Sequence, residues 1–445
     1  MDDKSDEMQS YPPLASANGK LFRQHPQMTR ARVRRYMRKV DVPKIATNAG
    51  RLSQADRKKP PLLRPRRLMK TSALLDDLSP DGRQPGHAIE ADARVAEFVS
   101  RKLPDVPSIL ILATIDDAAD REGLRAGLLA RPSRSSPKFF YDRQGSALYA
   151  AICELDEYYP TQTEAWIFDT HREAIARALP ADSQWIDLGC GDGAKARRWL
   201  DPAQVRRYVG VDIAEPWLRA SLATLASERT RRPTPRAQSG ALDIVGVVTD
   251  FTRPFDLHAL LGEEPGMPPV FFYPGSSIGN FTHDDARAFL ASVREHIERH
   301  PDIDGNVRGK LLIGVDLVKD REVLRAAYDD ALGVTAAFNR NVLRVANRLL
   351  DADFDPNTFG HRAVFDEAAS RIEMQLVSSR AQTVRIGRDA RHFEDGEVIV
   401  TEYSHKYTVE SFSALLEAAG YAAGGRLQCW TDERDWFGVF VAEPA

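Results

Sequence analysis

Cysteine is scarce in this chain of 445 residues: Cys153, Cys190 and Cys429 are its three, and none lies close to another. That excludes a disulfide framework and a thiolate zinc site. Long hydrophobic runs are missing too. No stretch approaches ~20 consecutive apolar residues, so no transmembrane helix and no membrane partner are expected. The opening residues MDDKSDEMQS are acidic and lack an apolar core, which argues against a secretory signal. Positive charge is not in excess, since 61 Lys+Arg against 64 Asp+Glu leave −3, and a globally basic nucleic-acid binder is excluded. Among 10 histidines, the HxxxH spacing of His296 and His300 falls in HIERH, which reads as a surface helix end, so no metal is expected. What is left fits a monomeric, cytoplasmic, enzyme-sized protein of a reducing compartment, long enough for two or three domains.

The average charge hides an asymmetry. Residues 20–70 carry 17 Lys/Arg and 2 Asp/Glu, a local +15, so the remainder sums to −18. Such a segment, with several prolines and few apolar residues, cannot bury enough surface to offset its ordering entropy. Residues 1–105 are therefore expected to be a disordered basic extension. It is either an electrostatic arm, the one route by which nucleic acid would bind, or a dispensable addition. Order is expected from about Val106. Ile115–Ala130 reads as an amphipathic helix with Ala118, Leu124 and Leu128 on its apolar face.

Beyond residue 165 helical and strand patterns alternate, the mark of a parallel α/β sheet. The apolar strand Gln184–Leu188 runs into Gly189-Cys190-Gly191-Asp192-Gly193 and then a helical AKARRWL, and a second strand, Tyr208–Ile213, carries Asp212. Strand, glycine turn, helix, strand and acid form a nucleotide-binding βαβ unit. A dinucleotide fingerprint would place its third glycine three positions after the second. Here the glycines are spaced by two, which resembles the S-adenosylmethionine (SAM) loop of Rossmann-like methyltransferases. Asp250 and Phe251, at the end of a third strand, suit an adenine amine and ring face. The C-terminus reads helix, strand, strand, and the hairpin completes that fold. The turn Pro274–Asn280 follows a fourth strand and should face the reaction centre. Asn280 could bind substrate there or cap the next helix.

The segments FFYDRQGSALYAAICELDEYYPTQTEA, DLGCGDGAK, PGSSIGNF, LLIGVDLVKD, AYDDALGVTAAFNRNVL, RIEMQL and TEYSHKY occur in this order. Together they resemble the ergothioneine-pathway L-histidine Nα-methyltransferase family, from about Ile115 to the C-terminus. The resemblance implies three methyl transfers from SAM to L-histidine, giving hercynine. It also implies a Rossmann-like class I SAM methyltransferase core with a second, smaller α+β substrate-binding domain. The divisions would be 106–162 and 319–405 for substrate binding, and 163–318 and 406–445 for the core. Matching motif by motif, Tyr158, Asn280 and Tyr328 would hold the amino acid's carboxylate and amine. Met374, Glu402 and Ser404 would read the imidazole, and Tyr141 would stand beside the reacting amine. Gly189, Lys195, Asp212, Asp250 and Phe251 would contact SAM. LDEYYPTQTEA departs from the usual LPEYYPTRTEA at Asp156 and Gln162, beside the pocket rather than in it.

The residues themselves allow blander readings. Glu402 and Ser404 stand at i and i+2 of a β-prone run and could share one face, on a ligand or in solvent. Met374 alternates with Ile372 and Leu376, as a core residue would. Tyr328 falls with Leu324 and Leu332 at i±4 on one helix face. Tyr141, Tyr149, Tyr158 and Tyr159 lie within 19 residues, and their rings could stabilise the sulfonium and the growing ammonium or simply pack. The expected chemistry is direct displacement, with Tyr141 accepting a hydrogen bond from the amine. Two other readings compete. One is a SAM-dependent N-methyltransferase of another aromatic amino acid or an indole amine. The other is a nucleic-acid-associated protein that uses the basic arm.

Overall fold

The computed structural model describes residues 107–111, 118–231, 242–253, 267–301 and 305–445. The basic arm and the expected onset of order at Val106 lie outside them. Strands are numbered here in chain order.

The main sheet holds β1 (Ser108–Ile111), β3 (Gln184–Leu188), β4 (Arg207–Asp212), β5 (Asp243–Val248), β6 (Pro269–Tyr273), β7 (Lys310–Asp316), β13 (Gln428–Thr431) and β14 (Phe437–Ala442). Their spatial order is β1-β5-β4-β3-β6-β7-β14-β13. All pair in parallel except β14, antiparallel to β7, and β13, antiparallel to β14. The sequence pattern explains the burial. Every residue of β3 and β6 is buried, because helices cover both faces of a parallel sheet. Alternate residues serve opposite faces: Ile186, Leu188, Phe271 and Ile313 pack under the helices His283–Glu298 and Val409–Ala418. Trp185, Val270, Phe272 and Leu312 pack against Phe168, Trp199 and Leu222. Fully burying one such side chain contributes about 1.5–3 kcal/mol. The chain reverses its order of strands between β3 and β6, so a crevice opens at the carboxyl ends of these two strands.

A second sheet, β2-β12-β9-β8, comprises Ser133–Arg134, Val398–His405, Arg371–Ser378 and Phe359–Asp366. The hairpin of β10 (Gln382–Ile386) and β11 (Asp389–Phe393) stands beside it. A separate hydrophobic core joins this sheet to the helices Ala118–Leu129, Arg143–Ile152, Arg321–Tyr328 and Val334–Leu350.

Two details differ from the sequence reading. Among the described residues the helix expected over Ile115–Ala130 runs Ala118–Leu129; Ala118 is exposed, while Leu124 and Leu128 are buried as expected. Leu332 does not share a helix face with Tyr328: that helix ends at Tyr328, and Leu332 is 45% exposed in the turn that follows. Asp330 sets that turn by accepting the N–H groups of Val334 and Thr335, which starts the next helix.

Candidate active site

The glycine loop lies at the carboxyl end of β3. Gly189, Gly191 and Gly193 all have positive φ (69°, 53° and 66°), a backbone that L side chains rarely adopt. A Cβ on Gly193 would come 2.9 Å from Ser221 Oγ, whereas one on Gly191 would meet nothing within 4 Å, so the middle of the loop is open. Asp212, at the end of β4, accepts the Gly191 N–H at 2.9 Å and the Ala214 N–H at 2.8 Å. Those bonds fix the side chain and leave acceptor capacity for ribose hydroxyls. Burial nonetheless raises its pKa. The Phe251 ring packs over the loop, 3.6 Å from the Cβ position of Gly189. Loop, acid and ring thus come together at the carboxyl end of the sheet.

Lys195 and Asp250 stand differently. Lys195 Nζ donates to Glu164 Oε2 at 2.6 Å, and Glu164 Oε1 accepts the Gly275 N–H at 2.7 Å. The buried Glu164 therefore ties the helix after the glycine loop to the turn after β6. Asp250 accepts hydrogen bonds from the Thr252 N–H and hydroxyl on one oxygen and from Lys138 at 3.0 Å on the other. Arg253 adds a contact at 3.4 Å. In this conformation Asp250 anchors the Lys138 segment.

The turn after β6 is pinned at a second point. Ser276 adopts φ 58°, and its hydroxyl accepts the Asp316 N–H at 2.8 Å. A non-glycine residue held there indicates a turn over-determined by its surroundings. Asn280 closes the short 3-10 turn Ser277–Asn280. It does not cap the next helix: Thr282 does, accepting the Asp285 N–H at 3.2 Å.

Beside this turn lies a cavity open to solvent, with about 490 Å³ of space between atoms, part of it bulk solvent. Tyr141, Tyr158, Asn280, Tyr328, Met374, Glu402 and Ser404, the seven residues expected from the sequence to meet the substrate, all line it. Tyr149 completes an edge-to-face chain of rings, with centroids 5.6 Å from Tyr141 and 6.5 Å from Tyr158. Tyr159, the fourth member of the cluster, instead donates to Asp316 at 2.8 Å. Met374 serves both readings, since it belongs to the core and borders the cavity.

Glu402 and Ser404 reach the cavity through a bulge. Ile399 pairs with Leu376, Val400 with Gln375, and Glu402 with Met374, so Thr401 is an extra residue in β12. Strict alternation from Ile399 would have put Thr401 and Tyr403 on the Met374 face. The bulge reverses the phase and aims Glu402 and Ser404 there instead. Thr401 is held by donating to Asn339 Oδ1 at 2.7 Å and to the Met374 carbonyl at 3.0 Å.

Several groups went unrecognised in sequence. Lys406, two residues beyond Ser404, is wholly buried. Its ammonium donates to Ser404 Oγ at 2.6 Å and Tyr328 Oη at 3.0 Å and lies 2.8 Å from Asp316 Oδ2. Tyr328 Oη and Ser404 Oγ are themselves 2.7 Å apart. Lys319 also pairs with Asp316, at 2.6 Å. These residues lay in the quoted LVKD and TEYSHKY segments, but spacing gives no hint that they meet. Thr335 and Phe338 also line the cavity, and the buried Thr335 hydroxyl has no hydrogen-bond partner among the described residues.

Electrostatics sharpen the roles. Burial lifts the Glu402 carboxyl to about 7, with Lys406 pulling weakly the other way. Burial, aided by the charge of Glu402, holds the Tyr141 phenol well above its ordinary range, so Tyr141 stays neutral near pH 7. Among the described residues no cluster of His, Cys, Asp and Glu could hold a metal.

A parallel sheet with a glycine loop, a strand-end acid and a tyrosine-walled cavity beside them defines a class I SAM-dependent methyltransferase. The SAM-dependent, histidine-specific methyltransferase family matches residues 120–444, and the chain belongs to that family. It is 39% identical over 337 residues to the histidine N-alpha-methyltransferase of Mycolicibacterium smegmatis, covering 74% of this chain and 96% of that one. It is 27% identical to the ergothioneine biosynthesis protein 1 of Schizosaccharomyces pombe, covering 63% of this chain and 35% of that protein. Among solved structures it is similar to the CcbJ methyltransferase of Streptomyces caelestis, with TM-score 0.34 and 16% identity, covering 63% of this chain and 96% of that one.

Proposed function

We infer that this enzyme transfers methyl groups from SAM to the α-amine of L-histidine, three in succession, to give hercynine on the route to ergothioneine. The observation that carries the substrate is the pair Glu402 and Ser404 on one strand face of a cavity that Tyr158, Asn280 and Tyr328 also line. An imidazole has two ring nitrogens. One N–H can donate to Glu402 while the other nitrogen meets Ser404. An indole has a single N–H and would leave one of the two buried groups unpaired, a loss of about 1–3 kcal/mol. Tyr158, Asn280 and Tyr328 take the carboxylate and amine.

Bound SAM supplies an electrophilic methyl group on a sulfonium. The chain's own residues align the amine with it, and alignment within about 3–3.5 Å is the main source of rate. The α-amine has an ordinary pKa near 8 and must be neutral to attack. A positive charge nearby favours the neutral form. Tyr141 is too firmly protonated to act as a phenolate base. Its oxygen accepts a hydrogen bond from the amine and orients the nitrogen lone pair. In each transfer the nitrogen–methyl bond forms as the sulfur–methyl bond breaks. S-adenosylhomocysteine is released, and the proton of each of the first two products passes to solvent. Mass spectrometry of purified enzyme with SAM and L-histidine tests this. Additions of one, two and three methyl groups on the α-nitrogen are expected; unmodified histidine, or methylation on the ring, overturns it.

A further inference from the structure

Lys406 has no part in the displacement, yet it occupies the most constrained polar position next to the cavity. Its side chain is fully buried, and its ammonium has three hydrogens and three partners: Asp316 Oδ2 at 2.8 Å, Tyr328 Oη at 3.0 Å and Ser404 Oγ at 2.6 Å. An ammonium donates and never accepts. Both hydroxyl oxygens therefore spend a lone pair on Lys406. The contact between the two hydroxyls, at 2.7 Å, spends one of their two hydrogens. One hydrogen is left over, and it can only point away from Lys406, toward the ligand.

Which hydroxyl keeps it follows from chemistry. A phenol is more acidic than an alkanol and so is the better donor, and an alkanol oxygen is the better acceptor. Tyr328 therefore donates to Ser404, and Ser404, with both lone pairs filled, offers its hydrogen to the cavity. We propose that Lys406 is a positioning residue that makes Ser404 an obligate hydrogen-bond donor, so that the pocket requires a ring atom with a free lone pair beside an N–H held by Glu402. Asp316 and Lys319 hold the ammonium in place, since Asp316 pairs with both lysines and accepts from Tyr159. Without Lys406 the hydroxyl pair could turn either way, and Ser404 could as easily accept as donate. The proposal rests on histidine being the substrate and adds a discrimination between rings to that reading.

The test compares L-histidine with β-(2-thienyl)-alanine, whose ring has similar size and no nitrogen. For Lys406→Met, the KM for histidine should rise roughly ten- to hundredfold, the range expected for losing a charge-assisted hydrogen-bond arrangement. The kcat at saturating histidine should change by less than about threefold. S-adenosylhomocysteine affinity by calorimetry should stay within about twofold, and the preference for histidine over the thienyl analogue should shrink by the factor lost in KM. Ser404→Ala in the same background should add little, because both changes remove one donor. Unchanged ring preference, or losses that multiply in the double variant, overturns the proposal. If Lys406→Met does not fold, Lys406→Arg keeps a charge on Asp316 with a planar fork that cannot serve both hydroxyls. A native histidine KM in that variant is equally fatal to the idea. Wild-type enzyme that leaves histidine unmethylated would instead overturn the functional reading itself.

Discussion

The two ends of the site are built by different means. At the donor end, backbone does most of the holding: three left-handed glycines and two N–H groups on Asp212, all within 26 residues from Gly189 to Ala214. At the acceptor end the wall is side chains drawn from residues between Tyr141 and Ser404, and Lys406 behind it is held by Asp316 in the main sheet. A backbone cradle suits a ligand common to many enzymes, and a side-chain wall can be rewritten for each substrate. The cradle should therefore fail as a unit, whereas the wall should fail one contact at a time.

The largest effect is expected at the cradle. Asp212→Ala removes the acceptor for ribose hydroxyls and frees the Gly191 and Ala214 N–H groups. S-adenosylhomocysteine affinity by calorimetry should fall at least about a hundredfold, in line with losing two or more charge-assisted hydrogen bonds. A loss below about fivefold would mean that the loop holds its ligand without the acid. At the wall, Glu402→Ala should raise the histidine KM by roughly ten- to hundredfold and leave S-adenosylhomocysteine affinity within about twofold. A matching loss in both ligands would erase the contrast between the two ends. Tyr141→Phe should be milder, lowering kcat by roughly threefold to tenfold with histidine KM and SAM affinity little changed, as fits one neutral hydrogen bond that orients the amine. Steady-state kinetics with saturating SAM would report it, and unchanged kcat removes Tyr141 from the reaction.

The same contrast explains what could be read before the structure was known. The cradle is a local pattern: glycines that need positive φ follow one another, and the acid lies one strand further on. The wall is not local. Glu402 and Ser404 share a face with Met374 through the extra residue Thr401, and a β-prone run carries no mark of where a bulge falls. Lys406 went unrecognised because its partners lie 78 and 90 positions upstream, at Tyr328 and Asp316. Glu164 was hidden the same way, 111 residues from the glycine whose N–H it accepts. Asp250 shows a partner that the strand-end position does not announce: Lys138, from a segment remote in sequence, donates to its second oxygen. Leu332 misled because periodicity ran on past the end of a helix that Asp330 resets.

A last effect, on stability rather than turnover, isolates the cost of keeping Glu402 in the wall. Burial raises its carboxyl from 4.5 to about 7, so between those values the folded protein binds more protons at this group than the unfolded chain does. Stability that depends on the neutral acid is then complete below about 4.5 and is lost as pH rises through about 7. Glu402→Gln keeps the shape and never ionises. Without histidine, the variant should match wild type near pH 4.5 and be more stable above pH 7, by roughly 1–3 kcal/mol from the size of the shift. Thermal melting at pH 5 and pH 8, with S-adenosylhomocysteine constant, measures the difference. Histidine should reverse the order at pH 8, because its ring N–H pairs the wild-type carboxylate and gains less from an amide. A variant no more stable than wild type at pH 8 would mean that the carboxylate already has a partner in the empty cavity, and the wall would then be as fully satisfied as the cradle.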